Sequence, residues 1–205
     1  MDIRAIKEVI MVARRLDDKQ LVNAFEGNIS IKRDGYLYIT PSGKNKALLT
    51  EEMIAVFDED GNQVSGMFPA SSELKMHRAV YGMRGNIGGV VHAHAPFLTA
   101  YAVCNKEFKT EAHAEMLWDH KSIEAAPYGR PGSDAIYAGV KPILDKGRNV
   151  LLLANHGVLA VGEDVFAAMN QLESVENAAK ISVISKLVGE PALLPPDEVG
   201  ILLSL

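Results

Sequence analysis

The stretch VVHAHAPF, residues 90–97, places two histidines one residue apart inside an apolar run. In a β-strand alternate side chains share one face, so His92 and His94 would project together, with Cα atoms roughly 7 Å apart. Two imidazoles at this spacing can meet on one divalent ion, which ring nitrogens bind at about 2.0–2.1 Å. Two strand histidines can equally be hydrogen-bonded core residues, so this stretch alone leaves both interpretations open.

The composition indicates one globular domain over residues 1–205 that is large enough to bury a full core. The formal net charge of −5 argues against broad binding to nucleic acid. The amino terminus does not resemble a signal peptide, and no apolar run is long enough for a transmembrane helix. Cys104 is the only cysteine, so no intrachain disulfide can form. We therefore expect a cytoplasmic protein that does not enter a membrane.

The order of periodic segments predicts a mixed α/β fold. Strand patterns occur in NISIK, YLYIT, MIAVFDEDGNQVSG, VVHAHA and NVLLLANHGVLAV, the last broken at its His-Gly pair. Helical patterns cover residues 3–16, 71–83, 96–103, 132–147 and 164–187, with serine at the cap of the second and glycine closing the fourth. Residues 106–128 show no clear period of either kind.

His156 lies between two apolar strand halves, in the motif Asn155-His156-Gly157. Its side chain therefore falls at a strand end or a turn that can face a cleft. With His92 and His94 it would complete a set of three histidines, and such a set with one open or carboxylate position is typical of a catalytic zinc site. A histidine that caps a tight turn is the structural alternative, and the joint occurrence of the three histidines favours the metal.

Ser71-Ser72-Glu73 opens a predicted helix, where serine caps and first-turn acids are common without any ligand. The same geometry would place two hydroxyls and free helix amides around a phosphate. Glu73 would then lie beside both phosphate and metal, as fourth ligand and as acid–base. Two turns could add backbone and side-chain donors to this anion site, although most such turns bind nothing. Their candidate residues are Gly27, Asn28, Ser42 and Gly43.

The order of these motifs resembles the class II aldolase family, which includes the L-fuculose-1-phosphate aldolases. The matching segments are GNISI, ITPSG, SSE with a histidine four residues on, VVHAHA, APY and NHG, and they span nearly the whole chain. The resemblance implies a single domain with a three-layer α/β/α fold around a mostly antiparallel sheet. It also implies a homotetramer whose active sites lie between subunits.

The resemblance further implies a role for each candidate residue. His92, His94 and His156 would bind Zn²⁺ or another divalent ion such as Mn²⁺ or Co²⁺, and Glu73 would be the acid–base. The phosphate-binding residues would be Gly27, Asn28, Ser42, Gly43, Ser71 and Ser72. Where fuculose-phosphate aldolases place a tyrosine proton donor, this chain has His113. We expect His113 to reach the cleft of an adjacent subunit and take the C4 hydroxyl proton. The alternative is that His113 is a surface histidine in a loop and that Tyr128, His120 or a water takes that proton.

The implied reaction is the reversible cleavage of a ketose 1-phosphate similar to L-fuculose 1-phosphate, which yields dihydroxyacetone phosphate and a short aldehyde. Relatives with the same metal site include sugar-phosphate 4-epimerases, phosphorylated keto-acid decarboxylases and methylthioribulose-phosphate dehydratases. The epimerases tend to have aspartate at the position of Glu73, which lowers that option. The alternative of another class is a non-catalytic interaction domain similar to the adducin head, and the joint presence of three histidines and a carboxylate favours the enzyme.

Overall fold

Eight strands form one sheet in the computed structural model, which describes residues 1–205. The strands are β1 (Asn28–Arg33), β2 (Tyr36–Ile39), β3 (Ala55–Phe57), β4 (Gln63–Ser65), β5 (Gly89–Ala93), β6 (Ala125–Ala126), β7 (Val150–Leu153) and β8 (Gly157–Gly162). Their order in the sheet is β4-β3-β2-β1-β5-β8-β7-β6. Every neighbouring pair is antiparallel except β6 and β7, which are parallel.

Helices cover both faces of this sheet. They are α1 (Ile3–Asp18), α2 (Leu74–Met83), α3 (Pro96–Val103), α4 (Ala114–Asp119), α5 (Val140–Leu144), α6 (Val165–Val188) and α7 (Pro196–Ser204). Helices α1, α3 and α6 pack on one face around a buried apolar cluster, and α2 and α5 pack on the other face around a second cluster. The predicted three-layer α/β/α fold around a mostly antiparallel sheet is therefore confirmed. None of the helices combines the length and the apolar composition needed to cross a membrane.

The central strands are buried on both faces, which explains their nearly continuous apolar sequence. In β5, Val91 belongs to the cluster under α1, α3 and α6, whereas Val90 belongs to the cluster under α2 and α5. His92 shares the face of Val90 because side chains alternate along a strand. The register of β1 against β5 pairs Asn28 with His92 and Ser30 with Val90, so a polar stripe lies on the sheet face that α2 covers.

The predicted strand VVHAHA ends earlier than expected. Strand β5 stops at Ala93, so His94 lies on the segment that leads into α3 rather than in the strand. Pro96 is the first residue of α3, and a residue before proline is disfavoured in helical conformation. Ala95 accordingly has φ −54° and ψ 120°, which turns the chain out of the sheet before the helix begins.

Two helix predictions also need correction. The predicted helix over residues 132–147 is a 3₁₀ turn at Asp134–Tyr137 followed by the short α5. Pro142 explains the break, because proline has no N–H to donate and its ring clashes with the carbonyl four residues earlier. The predicted serine cap of α2 is wrong as well, because this helix begins at Leu74 and Glu73 occupies its N-cap position.

Candidate metal and phosphate site

Three histidines converge at one end of the central strands. His92 lies near the end of β5, His94 follows that strand, and His156 lies in the turn between β7 and β8. The turn is tight because Asn155 has φ 55°, a left-handed conformation that asparagine tolerates better than most residues. The ring centroids of the three histidines are 4.6–5.1 Å apart, and one ligand atom from each lies within 4.8 Å of the others.

His92 is the most constrained of the three. Its ring is completely buried, and Nδ1 lies 2.9 Å from the carbonyl oxygen of Val158. A carbonyl only accepts, so Nδ1 carries the proton and donates it. Burial lowers the pKa of His92 to about 3, so the ring is neutral and Nε2 presents a bare lone pair to the cluster. A hydrogen bond that fixes the second ring nitrogen in this way is typical of histidines that bind metals.

Glu73 lies at the centre of this cluster. Its Oε2 is 3.3 Å from Nε2 of His92, and its Oε1 is 3.6 Å from Nε2 of His156. Burial favours a raised pKa for this carboxyl, but nearby His92 and a hydrogen bond from Asn28 outweigh it, so the pKa is lowered. Oε1 is buried and has no hydrogen-bond partner.

These atoms fit a divalent ion. The bare Nε2 of His92 faces Nε2 of His94 at 3.2 Å and the carboxylate of Glu73 at 3.3 Å. The bare His92 nitrogen and the ionised carboxylate only accept, so they repel each other unless a cation or a proton lies between them. Ligands about 2.0–2.1 Å from a tetrahedral ion lie roughly 3.3–3.4 Å apart, which agrees with these separations. Three imidazole nitrogens and one carboxylate could therefore hold one ion.

A cleft of about 180 Å³ opens beside the histidines. Glu73, His94 and His156 line it, and so do all six residues that sequence reasoning assigned to the phosphate: Gly27, Asn28, Ser42, Gly43, Ser71 and Ser72. The serine segment contributes differently from the prediction, because Ser71 Oγ accepts from the backbone N–H of Glu73 at 3.2 Å, while the exposed Ser72 faces solvent. The backbone N–H of Ser71 donates to the carbonyl oxygen of Thr40, which ties this segment to the residue that follows β2.

Two glycines allow neighbouring segments to approach the end of β5. Gly27 has φ +73°, and a Cβ atom there would lie 2.9 Å from the carbonyl oxygen of His92 and 2.5 Å from the Val22 side chain. A Cβ atom on Gly157 would lie 2.6 Å from the carbonyl oxygen of Ala93 and 2.9 Å from the ring of His94. Real Cβ atoms do not approach backbone oxygens this closely, so both positions need glycine for steric reasons.

Sequence reasoning missed several polar residues that surround this site. Glu26, which precedes the Gly27 turn, places Oε2 3.3 Å from Nδ1 of His94 and lines the cleft. His77, Ser30 and Tyr81 form a buried hydrogen-bonded chain behind Asn28. The histidine four residues after the SSE motif was the one sequence signal for this chain, since residues i and i+4 share a helix face.

His113 does not line the cleft within its own chain. It precedes α4, and its Nδ1 accepts a hydrogen bond from the backbone N–H of Met116 at 3.3 Å. Its side chain is 28% exposed and lies 3.5 Å from the carboxylate of Glu115. A helix-capping role is therefore visible for His113, and a catalytic role requires the cleft of another subunit.

Known proteins resemble this chain over nearly its whole length. It is 32% identical over 180 residues to the L-fuculose phosphate aldolase of Methanococcus maripaludis, covering 87% of this chain and 96% of that protein. It is 31% identical over 198 residues to the 5-deoxy-D-ribulose 1-phosphate aldolase of Bacillus thuringiensis, covering 94% and 90%. A solved structure of an L-fuculose 1-phosphate aldolase matches with a TM-score of 0.87 at 30% identity, covering 100% and 96%.

The family comparison agrees with these individual relatives. The sequence profile described as Class II Aldolase and Adducin N-terminal domain matches residues 7–183, which include every candidate residue of the cleft. The chain therefore belongs to the class II aldolase and adducin N-terminal domain family.

Proposed function

We propose that this protein is a metal-dependent aldolase that reversibly cleaves a ketose 1-phosphate of the L-fuculose 1-phosphate type into dihydroxyacetone phosphate and a short aldehyde. The observation that carries this proposal is the convergence of His92, His94 and His156 with Glu73 beside a cleft lined by hydroxyls and glycine turns. Relatives named for L-fuculose phosphate and for 5-deoxy-D-ribulose 1-phosphate support a phosphorylated ketose as substrate. The part of the sugar that leaves as the aldehyde is to be identified by experiment.

The three histidines would hold Zn²⁺, or Mn²⁺ or Co²⁺ in its place, with Glu73 as a fourth ligand before substrate binds. When bound, the ion supplies Lewis-acid chemistry that stabilises negative charge developing on the substrate. Neutral imidazoles suit this role because a protonated ring has no lone pair to offer. The pKa of His92 is lowered to about 3 and that of His156 is also lowered, in both cases chiefly by burial, so both rings are neutral near pH 7.

Glu73 would move the proton at C3 of the substrate. A carboxylate with a lowered pKa is ionised near neutral pH and can accept that proton, and Oε1 is free to do so because it has no hydrogen-bond partner. The phosphate would bind at the other end of the cleft. Backbone N–H groups of the Gly27 and Gly43 turns and the hydroxyls of Ser42, Ser71 and Ser72 are the donors that line it.

A second group must take the C4 hydroxyl proton as the aldehyde leaves, and we propose His113 of an adjacent subunit. This assignment requires an oligomer with sites between subunits, for which a homotetramer is the family expectation, and the cytoplasm is the expected compartment. Nδ1 of His113 accepts from Met116 N, so Nε2 of the neutral ring carries the proton; His113 would take the C4 proton at Nδ1 and give up that capping hydrogen bond.

The test is a screen of the zinc-loaded protein with L-fuculose 1-phosphate and 5-deoxy-D-ribulose 1-phosphate, which measures release of dihydroxyacetone phosphate. We expect one substrate to be cleaved and a chelator to abolish cleavage. Glu73→Gln should lower the rate by about a hundredfold or more and retain the metal. Glu173→Gln is a matched control, because that carboxylate binds Arg15 and Lys19 away from the cleft. No cleavage by the metal-loaded protein would contradict the proposal.

The other reactions of the superfamily give different outcomes once a phosphorylated keto acid is added to the screen. A sugar-phosphate 4-epimerase would change the substrate without releasing a triose phosphate, a dehydratase would release only water, and a decarboxylase would act on a phosphorylated keto acid. An interaction domain similar to the adducin head would turn over none of these compounds. Metal content equal to one ion per chain, together with turnover, separates the enzyme from that domain.

A further inference from the structure

A chain of buried polar side chains runs from Glu73 into the sheet face under α2, and the reaction proposed above gives no role to its inner members His77, Ser30 and Tyr81. Asn28 Nδ2 donates to Glu73 Oε2 at 2.8 Å, and Asn28 Oδ1 lies 2.5 Å from His77 Nε2. His77 Nδ1 lies 2.6 Å from Ser30 Oγ, which in turn lies 2.9 Å from the hydroxyl of Tyr81. All five residues are buried, although they are surrounded by the apolar cluster of this face.

The carboxylate at one end fixes the direction of every hydrogen bond. Ionised Glu73 can only accept, so Asn28 presents its NH₂ group to Glu73 and its carbonyl oxygen to His77. His77 must then carry its proton on Nε2, and because burial lowers its pKa to about 4, its Nδ1 is a bare acceptor. Ser30 therefore donates to His77 and accepts from Tyr81. Each proton in the chain points toward Glu73.

We propose that His77, Ser30 and Tyr81 are positioning residues that lock the amide of Asn28. The locked amide occupies Oε2 of Glu73 and leaves Oε1 as the oxygen that accepts the substrate proton in the cleft. Oε2 is occupied by Asn28, whereas Oε1 has no hydrogen-bond partner. If the amide flipped, its carbonyl oxygen would face the carboxylate, and two acceptors in contact repel. A lone asparagine can flip, but one whose carbonyl oxygen accepts from a fixed His77 cannot do so without losing that bond.

This arrangement also explains how Asn28 can serve two partners. An asparagine NH₂ group has two hydrogens, and the bond to Glu73 uses one of them. The second hydrogen remains for a ligand in the cleft that Asn28 lines. The locked amide would therefore hold the acid–base and a substrate oxygen at a fixed separation, which is the geometric requirement for efficient proton transfer.

The first test is the tautomer of His77, measured by ¹⁵N NMR of the imidazole rings in the full-length protein, both metal-free and zinc-loaded, near neutral pH. We expect a neutral ring with the proton on Nε2, with the signal assigned by its loss in His77→Gln. A ring protonated on Nδ1, or a doubly protonated ring, would overturn the proposal. This measurement needs no catalytic activity, so its result stands apart from the outcome for the proposed function, on which the role of Glu73 rests.

The second test follows C3 proton exchange on dihydroxyacetone phosphate as a function of pH. His77→Leu should lower the exchange rate by about 10- to 100-fold, because Glu73 loses a fixed donor. His77→Gln keeps an N–H donor and should recover part of the rate. Tyr38→Phe is the matched control, since it removes a buried hydroxyl that accepts from Asp2 N at 2.6 Å on the opposite side of the sheet.

Ser30→Ala supplies the same test if His77→Leu does not fold, because it removes the donor to Nδ1 and leaves His77 in place. An exchange rate at the wild-type level in the folded variant would overturn the positioning role. A wild-type enzyme that exchanges no C3 proton would instead refute the role proposed for Glu73, and the tautomer measurement would then decide whether the locked amide exists.

Discussion

Acidification should destabilise this protein through His77, and the size of the effect can be worked out from the structure. Burial lowers the pKa of His77 from 6.5 to about 4, with a smaller opposing contribution from Glu73. Below about pH 6.5 His77 is protonated in the unfolded chain but stays neutral in the folded protein, so the unfolded state binds more protons. The free energy of unfolding therefore falls as the pH falls from about 6.5 toward 4, by roughly 3 kcal/mol at about 1.4 kcal/mol per pH unit.

The assay is urea unfolding of wild type and His77→Gln at several pH values between about 7 and 4.5, with metal removed by a chelator. His92 acts in the same direction, because burial lowers its pKa to about 3. The free energy of unfolding of the wild type therefore falls by more than His77 alone would cause. The difference between the two pH dependences isolates His77, since both proteins retain His92. We expect the free energy of unfolding of the variant to fall by about 2 kcal/mol less than that of wild type over this pH range. Equal losses in the two proteins would refute the neutral, buried state of His77.

Three further outcomes test the candidate site. His94→Ala should remove the bound metal, measured by elemental analysis, and leave the circular dichroism spectrum nearly unchanged, because catalytic sites contribute less to folding than structural zinc sites; metal at the wild-type level would contradict its role. Ser71→Ala combined with Ser72→Ala should weaken binding of phosphorylated ligands by about tenfold or more, since hydrogen bonds to charged groups are lost, and calorimetry should show no change for the unphosphorylated sugar. His113→Ala should reduce cleavage while C3 exchange through Glu73 persists; unchanged cleavage would exclude this role.

Sequence patterns predicted the helices and strands whose hydrophobic periodicity is strong. The opening helix, the hairpin of β1 and β2, and the long α6 were all expected close to their observed bounds. The periodic signal fails where a turn or a proline interrupts it. Pro142 breaks the expected helix over 132–147, and residues 106–128 hold only a short α4, the two-residue β6 and an isolated bridge between Phe108 and Ile123, elements too short to show a period.

The composition of the cleft could be predicted from short motifs, but its internal connections could not. Each glycine or serine turn is ambiguous alone, and their order along the chain identified the set. The chain from Asn28 to Tyr81 depends on the register of β1 against β5 and on the rotation of α2 above them, which no local pattern encodes. His113 does not line the cleft of its own chain, so the role proposed for it rests on a neighbouring subunit.

The steric role of Gly27 and Gly157 also bears on how this protein can evolve. Both glycines press against the backbone of β5, so almost any substitution there would displace a histidine ligand candidate or the strand that bears it. Phe25 and Pro131 line the same cleft but are exposed, so their side chains can change without moving that strand. The cleft therefore combines an inner frame that has no room for a side chain with a permissive rim. A library confined to the rim would alter the choice of substrate while sparing the reaction itself.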